Sequence, residues 1–206
     1  SEDVAIAGVN SPKLTVLSGT HAALDALKAK LDEEGIGTIT LHTSHAFHSS
    51  MMEPVMAPFA EIVGRFALKI PQKDFYSSLT GKLIEARDAQ DPEYWARQLR
   101  NAVRFAPGIS ELAEQTGCVF LECGPGQNLS TSTRQILSKA HQAQVIASLP
   151  HAGAADANDA EHFSEALGRL WMAGIEVPEA RFYAGETRCV VGLPGYPFAR
   201  TRHFIE

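Results

Sequence analysis

Apolar and polar positions along the chain change period several times, and each change marks an element. Val4 to Val9 and Leu14 to Leu17 are apolar, β-branched runs split by the turn residues Asn10-Ser11-Pro12, and read as two strands of a hairpin-like pair. Thr20 stands where a helix N-cap belongs, Leu24, Leu27 and Leu31 recur at helical spacing, and Gly35 supplies a stop. Gly37 to Leu41 returns to strand character. This β-β-α-β order in a short stretch predicts a small α+β lobe of ferredoxin-like type.

Helical period resumes from about Ser50 to Phe66, where Met52, Val55, Met56, Phe59, Ile62 and Val63 form a broad apolar face. Pro54 fits the first turn and Pro58 is a candidate kink. Phe75 to Leu79 reads as a strand, Thr80-Gly81 as a turn and Lys82 to Ile84 as its return. Asp91-Pro92-Glu93 joins a cap, a proline and a first-turn acid, and opens a helix carrying Tyr94, Trp95 and Leu99. An extended Val103-Arg104-Phe105 precedes a helix over about 107–115. Val119 to Glu122 is a buried strand that breaks at Gly124-Pro125-Gly126, a helix opens near Asn128 and Ser130, and Gln144 to Leu149 is the last core strand. Gly153 to Asn158 reads as a loop, Glu161 to Met172 as an amphipathic helix ended by Gly174, and the pattern loses its period from Glu176 onward. The end, Leu193 to Arg200, is extended and fixed by prolines.

Composition narrows the function classes. At 206 residues, 45% hydrophobic and 20% charged, the chain is expected to be soluble and globular, with one sizeable core or a core plus a small lobe. A net charge of -6 argues against nucleic acid as partner. No apolar run approaches the ~20 residues of a membrane span. Three cysteines without CxxC spacing fit a reducing cytosol, so the expected location is cytoplasmic.

The chemistry concentrates in Ser44-His45-Ala46-Phe47-His48-Ser49, which follows the strand-like run and precedes a helix. A histidine there is placed as α/β enzymes place a general base, and it titrates nearest neutral pH. An isolated HxxH is more often two ordinary half-buried histidines. A metal reading is weaker, because no third ligand stands nearby in sequence. The Gly124-Pro125-Gly126 turn could cradle a phosphate at a helix start, although it is neither GxGxxG nor a Walker A loop, and tight-turn use is the commoner reading. Arg97, Arg100 and Arg104 form either a basic stripe for an acidic partner or CoA phosphate, or a solvated face. No GxSxG is present, Ser110, Ser130 and Ser132 sit in helix contexts, and Cys123 is a conceivable thiolate nucleophile, although a small buried apolar role is the commoner reading.

Together with Tyr94-Trp95-Ala96-Arg97-Gln98-Leu99-Arg100, Val103-Arg104-Phe105, Leu121-Glu122-Cys123-Gly124-Pro125-Gly126 and Leu193-Pro194-Gly195-Tyr196-Pro197-Phe198, the histidine segment resembles, in order, the second half of the acyltransferase domain of modular type I polyketide synthases. That family is related to malonyl-CoA:acyl carrier protein transacylases. The resemblance implies an α/β fold: part of an α/β-hydrolase-like acyltransferase lobe with an inserted ferredoxin-like α+β small lobe. Residues 1–41 would be the small lobe, 42–175 the later part of the large lobe, and 176–206 a post-acyltransferase linker wrapping toward a ketosynthase domain of the same polypeptide.

The implied activity is loading of malonyl from malonyl-CoA onto the phosphopantetheine arm of an acyl carrier protein, with no cofactor or metal held by the domain itself. His48 takes the place of the family's catalytic histidine, and Gln98 that of the residue whose backbone carbonyl orients it. His45 and Phe47 match the malonyl-selective form of the motif, where Phe47 crowds the space of an α-methyl, and Asn10 matches a position near the substrate cleft. The nucleophilic serine of GHSxG, the oxyanion donors and the carboxylate-binding arginine belong to a preceding half. The chain is therefore expected to be a truncated or partial product, inactive alone, with a cut sheet edge and exposed apolar surface. A competing reading is a non-catalytic module that docks a ketosynthase or carrier protein.

Overall fold

Local sequence signals set most of the helices. The computed structural model describes residues 3–115, 117–139, 144–151, 153–154, 158–178, 183–187, 189, 191–199 and 201. Strand β1 (Val4–Ser11) pairs antiparallel with β2 (Leu14–Gly19), in a register that sets Val4 opposite Gly19 and Ser11 opposite Leu14. The turn is thus Pro12-Lys13, and Asn10 and Ser11 belong to the strand rather than to the expected turn. Ser11 Oγ accepts the Lys13 N–H and donates across to Gln135 Oε1. Helix α1 (His21–Glu33) begins at Thr20, whose hydroxyl accepts the Ala23 N–H, and ends before Gly35 at φ 73°.

The expected third strand, Gly37 to Leu41, does not form. A strand is stabilised by its ladder and its cross-strand neighbours. Among the described residues none pairs with this segment, and Ile39 is left 89% exposed. A hydrogen bond from Lys28 Nζ to Thr38 Oγ1 holds it against α1. The described small lobe is therefore a hairpin and one helix, and no residue of that helix is buried.

Beyond it, a single 3-10 turn over Ser50–Met52 leads into α2 (Glu53–Gly64), which runs through Pro58. Phe75 to Ile84 folds back as a minimal hairpin with one ladder contact between Tyr76 and Leu83. After the short α3 (Ala86–Ala89), α4 (Pro92–Arg100) starts at Asp91, whose carboxylate accepts the Glu93 N–H, and packs on α2, with Tyr94 and Ala96 buried. Helix α5 (Phe105–Ala113) opens two residues before the expected Pro107, because a proline in the first turn removes only an N–H that has no helical partner.

Strands β3 (Phe120–Pro125) and β4 (Val145–Leu149) pair in parallel, joined through α6 (Asn128–Ile136) as a βαβ unit. Ile109, Leu137 and Val145 form a core cluster, flanked by Phe105, Ala113, Phe120 and Ile136. Burying each such side chain stabilises by about 1.5–3 kcal/mol. Helix α7 (Asp159–Met172), capped by Asn158, packs on β4. The chain divides into two units, Ser1–Ile175 and Glu176–Glu206. In the second, Tyr196 and Phe198 pack edge to face at 4.8 Å. Part of the Gly153 to Asn158 loop reading, and Arg200 at the end of the extended tail, lie outside the described residues. No described helix is long and apolar enough to cross a membrane.

Candidate active site

His48 occupies a turn that is held by a cradle outside its own segment. Its φ is +62°, a left-handed conformation rarely taken by a residue with a side chain, and it is the one non-glycine residue with positive φ among those described. The cradle is the C-terminal end of α4. The His48 N–H donates to Leu99 O at 2.9 Å. Nδ1 lies 3.1 Å from Gln98 O and 2.8 Å from Asn101 O. Carbonyl oxygens only accept, so Nδ1 carries a proton, and in the neutral ring Nε2 then presents its lone pair. A helix end has orphan carbonyls seeking donors, and a single histidine supplies two.

The cradle is fixed from several sides. Arg100 on α4 pairs with Glu53 on α2 at 2.8 Å, so the helix that follows His48 is tied to the helix that holds it. Ser49, buried beside His48, donates to Ala46 O at 2.6 Å and accepts the Met51 N–H, capping the 3-10 turn. On the far side, Val103 N–H donates to Ala7 O and Val9 N–H donates to Val103 O, which pins the segment leaving α4 to β1.

The structure brings His48 and Gln98 together through the Gln98 backbone. The Gln98 side chain points elsewhere and donates to Ser78 Oγ at 3.3 Å. His45 and Phe47 lie on the same turn as His48, with ring centroids 6.1 Å apart and both side chains exposed. His45 Nδ1 is 3.0 Å from Ser44 Oγ. Asn10 is not brought into hydrogen-bonding contact with this group among the described residues. It lies on β1, past the Gly8 bridge to Val103. Asn101 was not visible as a site residue in the sequence, because its contribution is a backbone oxygen.

The other candidates resolve structurally. The N-terminus of α6, the candidate phosphate cradle, is filled by Glu122. One carboxylate oxygen accepts the Leu129 N–H at 3.1 Å and the other the Ser130 N–H at 2.8 Å. Burial alone would push the Glu122 carboxyl up. The Ser130 hydroxyl, the Ser130 and Leu129 N–H groups and the Arg134 charge outweigh it and hold the carboxyl below its ordinary value. The Ser130 hydroxyl lies beside the carboxylate without a well-directed hydrogen bond to it. Gly124 and Gly126 serve the turn, with N–H groups donating to Ser148 Oγ and Pro150 O. Of the arginine stripe, Arg97 pairs with Asp91 and Arg100 with Glu53. Cys123 is exposed on β3, its thiol 3.9 Å from Leu121 O. Among the described residues, no group of three His, Cys, Asp or Glu side chains is placed to hold a metal.

Comparison with known proteins places this arrangement in a family. The family model described as "Acyl transferase domain" matches residues 1–177. The phenolphthiocerol synthesis polyketide synthase type I Pks15/1 of Mycobacterium marinum is 34% identical over 203 residues, covering 98% of this chain and 9% of that protein. Polyketide synthase GfsA of Streptomyces halstedii is 34% identical over 206 residues, covering 99% of this chain and 3% of that protein. Among solved structures, the acyltransferase domain from the second module of the salinomycin polyketide synthase superposes with a TM-score of 0.81 at 34% identity, over 94% of this chain and 44% of that one. The acyl transferase domain of ZmaA does so with a TM-score of 0.83 at 28% identity, over 93% and 43%. The chain thus spans less than half of the solved domains and a small part of the curated relatives. With His48 and its carbonyl cradle inside the matched region, the chain belongs to the acyl transferase domain family, in the form found in polyketide synthases.

Proposed function

We propose that this chain is the base-bearing part of a polyketide synthase acyltransferase that moves malonyl from malonyl-CoA to the phosphopantetheine thiol of an acyl carrier protein. The observation that carries the reading is the pair of backbone carbonyl oxygens that face Nδ1 of His48. Two backbone carbonyls hold Nδ1–H, so Nε2 is free to accept a proton. In the first half-reaction Nε2 takes the proton of a serine hydroxyl as its oxygen attacks the thioester carbonyl, and returns it to the CoA sulfur as the C–S bond breaks. In the second, Nε2 takes the proton of the incoming thiol, whose sulfur attacks the seryl ester, and returns it to the serine oxygen. The carbonyls of Gln98 and Asn101 do what a carboxylate does in a Ser-His-Asp triad.

The chain itself has no GxSxG, so on this reading it transfers no acyl group alone. Phe47, exposed beside His45, provides bulk against an α-methyl and favours malonyl over methylmalonyl. The domain binds no cofactor of its own, because the phosphopantetheine arrives on the carrier. The proposed setting is cytoplasmic.

A second reading, an interaction module that docks a ketosynthase or carrier protein, is favoured by the exposed Leu193, Tyr196 and Phe198 of the second unit. Acylation from radiolabelled malonyl-CoA and methylmalonyl-CoA separates the two. The chain alone is compared with the chain joined to a segment containing GHSxG, with and without His48→Ala. The acyltransferase reading expects label only on the joined protein, mainly from malonyl-CoA, and falling about 10²–10⁴-fold in rate for His48→Ala. Undiminished label in His48→Ala refutes the role of His48. Label on the chain alone points instead to a nucleophile within it, with Cys123 the first to test.

A further inference from the structure

The carbonyls that orient His48 hang between two anchors on one small hairpin. Ser77, at the hairpin bend, is 2% exposed and Tyr94 on α4 is equally buried. The Tyr94 hydroxyl donates to Ser77 Oγ at 2.6 Å, and the same oxygen accepts the Leu79 and Thr80 N–H groups. The next residue, Ser78, accepts from Gln98 Nε2 with its hydroxyl and from the Arg104 N–H with its carbonyl, the latter at 2.7 Å. Tyr94 precedes the cradle, Gln98 is its first residue, and Arg104 follows it. Gly81, at φ +72°, completes the bend against Pro107 and Arg104. Backbone that would otherwise fray at a helix end is therefore held at both sides by residues 77–81.

We propose that Tyr94 is a positioning residue for His48. Its hydroxyl, through Ser77, fixes the rotation of this short helix from its first turn, and so aims the Gln98 and Asn101 carbonyls at Nδ1. Tyr94 touches neither His48 nor any reacting atom. Its effect is on which imidazole nitrogen carries the proton. A tyrosine needed only for packing would do as well without its hydroxyl. Here the ring already packs edge to face on Trp95 at 5.2 Å, and the hydroxyl adds one buried bond to a serine that also braces the bend. Precise aim matters because a hydrogen bond weakens steeply with misalignment, and the cradle offers Nδ1–H two acceptors that both depend on the same turn. This inference rests on the reading of His48 as a proton-transfer group, but its test does not.

The test is long-range proton–nitrogen NMR on the full 206-residue chain labelled with ¹⁵N-histidine, at a pH where His48 is neutral. The wild type is expected to show Nδ1–H as the dominant tautomer. Tyr94→Phe is expected to shift the ratio toward Nε2–H by about threefold or more, the scale of losing one buried hydrogen bond. Ser78→Ala, which frees the Gln98 side chain, is expected to shift it in the same direction. Val145→Ala, which removes core volume far along the chain from the hairpin, lowers the melting temperature and should leave the ratio unchanged. An unchanged ratio in both Tyr94→Phe and Ser78→Ala overturns the proposal. So does a shift in Val145→Ala that matches theirs, since tautomer would then follow general stability. The measurement needs no nucleophile. If acylation of the joined protein survived His48→Ala, the functional reading would fall while this result stood.

Discussion

Glu122 offers the sharpest test of how the βαβ unit is held. Its two carboxylate oxygens accept from the N–H groups of Leu129 and Ser130, filling the start of α6, where Gln127 makes no side-chain cap. Replacing it by Gln keeps the shape, loses the charge facing the helix dipole, and turns one acceptor into a donor aimed at an N–H. A hydrogen bond to a charged group contributes about 1.5–3 kcal/mol, and a helix cap about 1 kcal/mol. Glu122 is only partly buried, so Glu122→Gln is expected to cost about 1–2 kcal/mol. In a chain of this size that lowers the melting temperature by about 2–8 °C. The pH dependence follows from the lowered carboxyl. The folded value lies below the ordinary 4.5, so the contribution is whole above the unfolded pKa and is lost as pH falls through the folded one. Urea unfolding followed by circular dichroism should therefore show a constant gap between wild type and variant near neutral pH, narrowing in acid. A gap below about 0.3 kcal/mol at neutral pH, or one that does not narrow, refutes the charged-cap account.

Three further outcomes are expected. Gln98→Ala in the joined protein should change the acylation rate by less than about tenfold, because the backbone carbonyl survives, and a loss as large as that of His48→Ala would show that the side chain takes part. Gly81→Ala should destabilise by about 1–3 kcal/mol in chemical denaturation, since φ is +72° and the new Cβ would meet Pro107 Cβ at 3.0 Å; a neutral result would mean the bend can shift. Phe47→Ser should raise methylmalonyl relative to malonyl acylation by about tenfold or more in competition assays, and an unchanged ratio would remove Phe47 from the selectivity argument.

What could be read from the sequence was local. Thr20 and Asp91 announce their helices because a cap acts two or three residues away, and both hydroxyl and carboxylate are found on the expected N–H groups. Gly37 to Leu41 has the composition of a strand and is not one, because a strand exists only where an edge accepts it, and edges are set by distant residues. The bridge from Gly8 to Val103 joins residues far apart in sequence and left no mark in either segment's pattern. At the site the division is the same. His48 carries its chemistry in its side chain and stands out. Gln98 emerged only through family resemblance, and Asn101 not at all, because a backbone oxygen is the same in every residue. The φ of His48 was equally hidden, since histidine, though enriched in the left-handed region, adopts it in only a small share of its positions. Glu122 gave no readable signal: it is the third residue of β3, and nearby Asn128 looks like the N-cap although the structure puts Gln127 there.

Among the described residues, the groups seen to orient the base lie between Ala7 and Arg104. Glu53 and Arg100 tie the helix after His48 to the helix that supplies the carbonyls, β1 holds Val103, and the Ser77 bend holds both Tyr94 and Arg104. None of these contacts needs the serine that the base would serve. Orientation of His48 is thus separable from presence of a nucleophile, and the two can be measured on different proteins. If a nucleophile-bearing segment were needed to shape the cradle, the His48 tautomer would differ between this chain and the joined protein. The contacts seen among the described residues lead to the opposite expectation: the same Nδ1–H form in both, with only the joined protein able to use it.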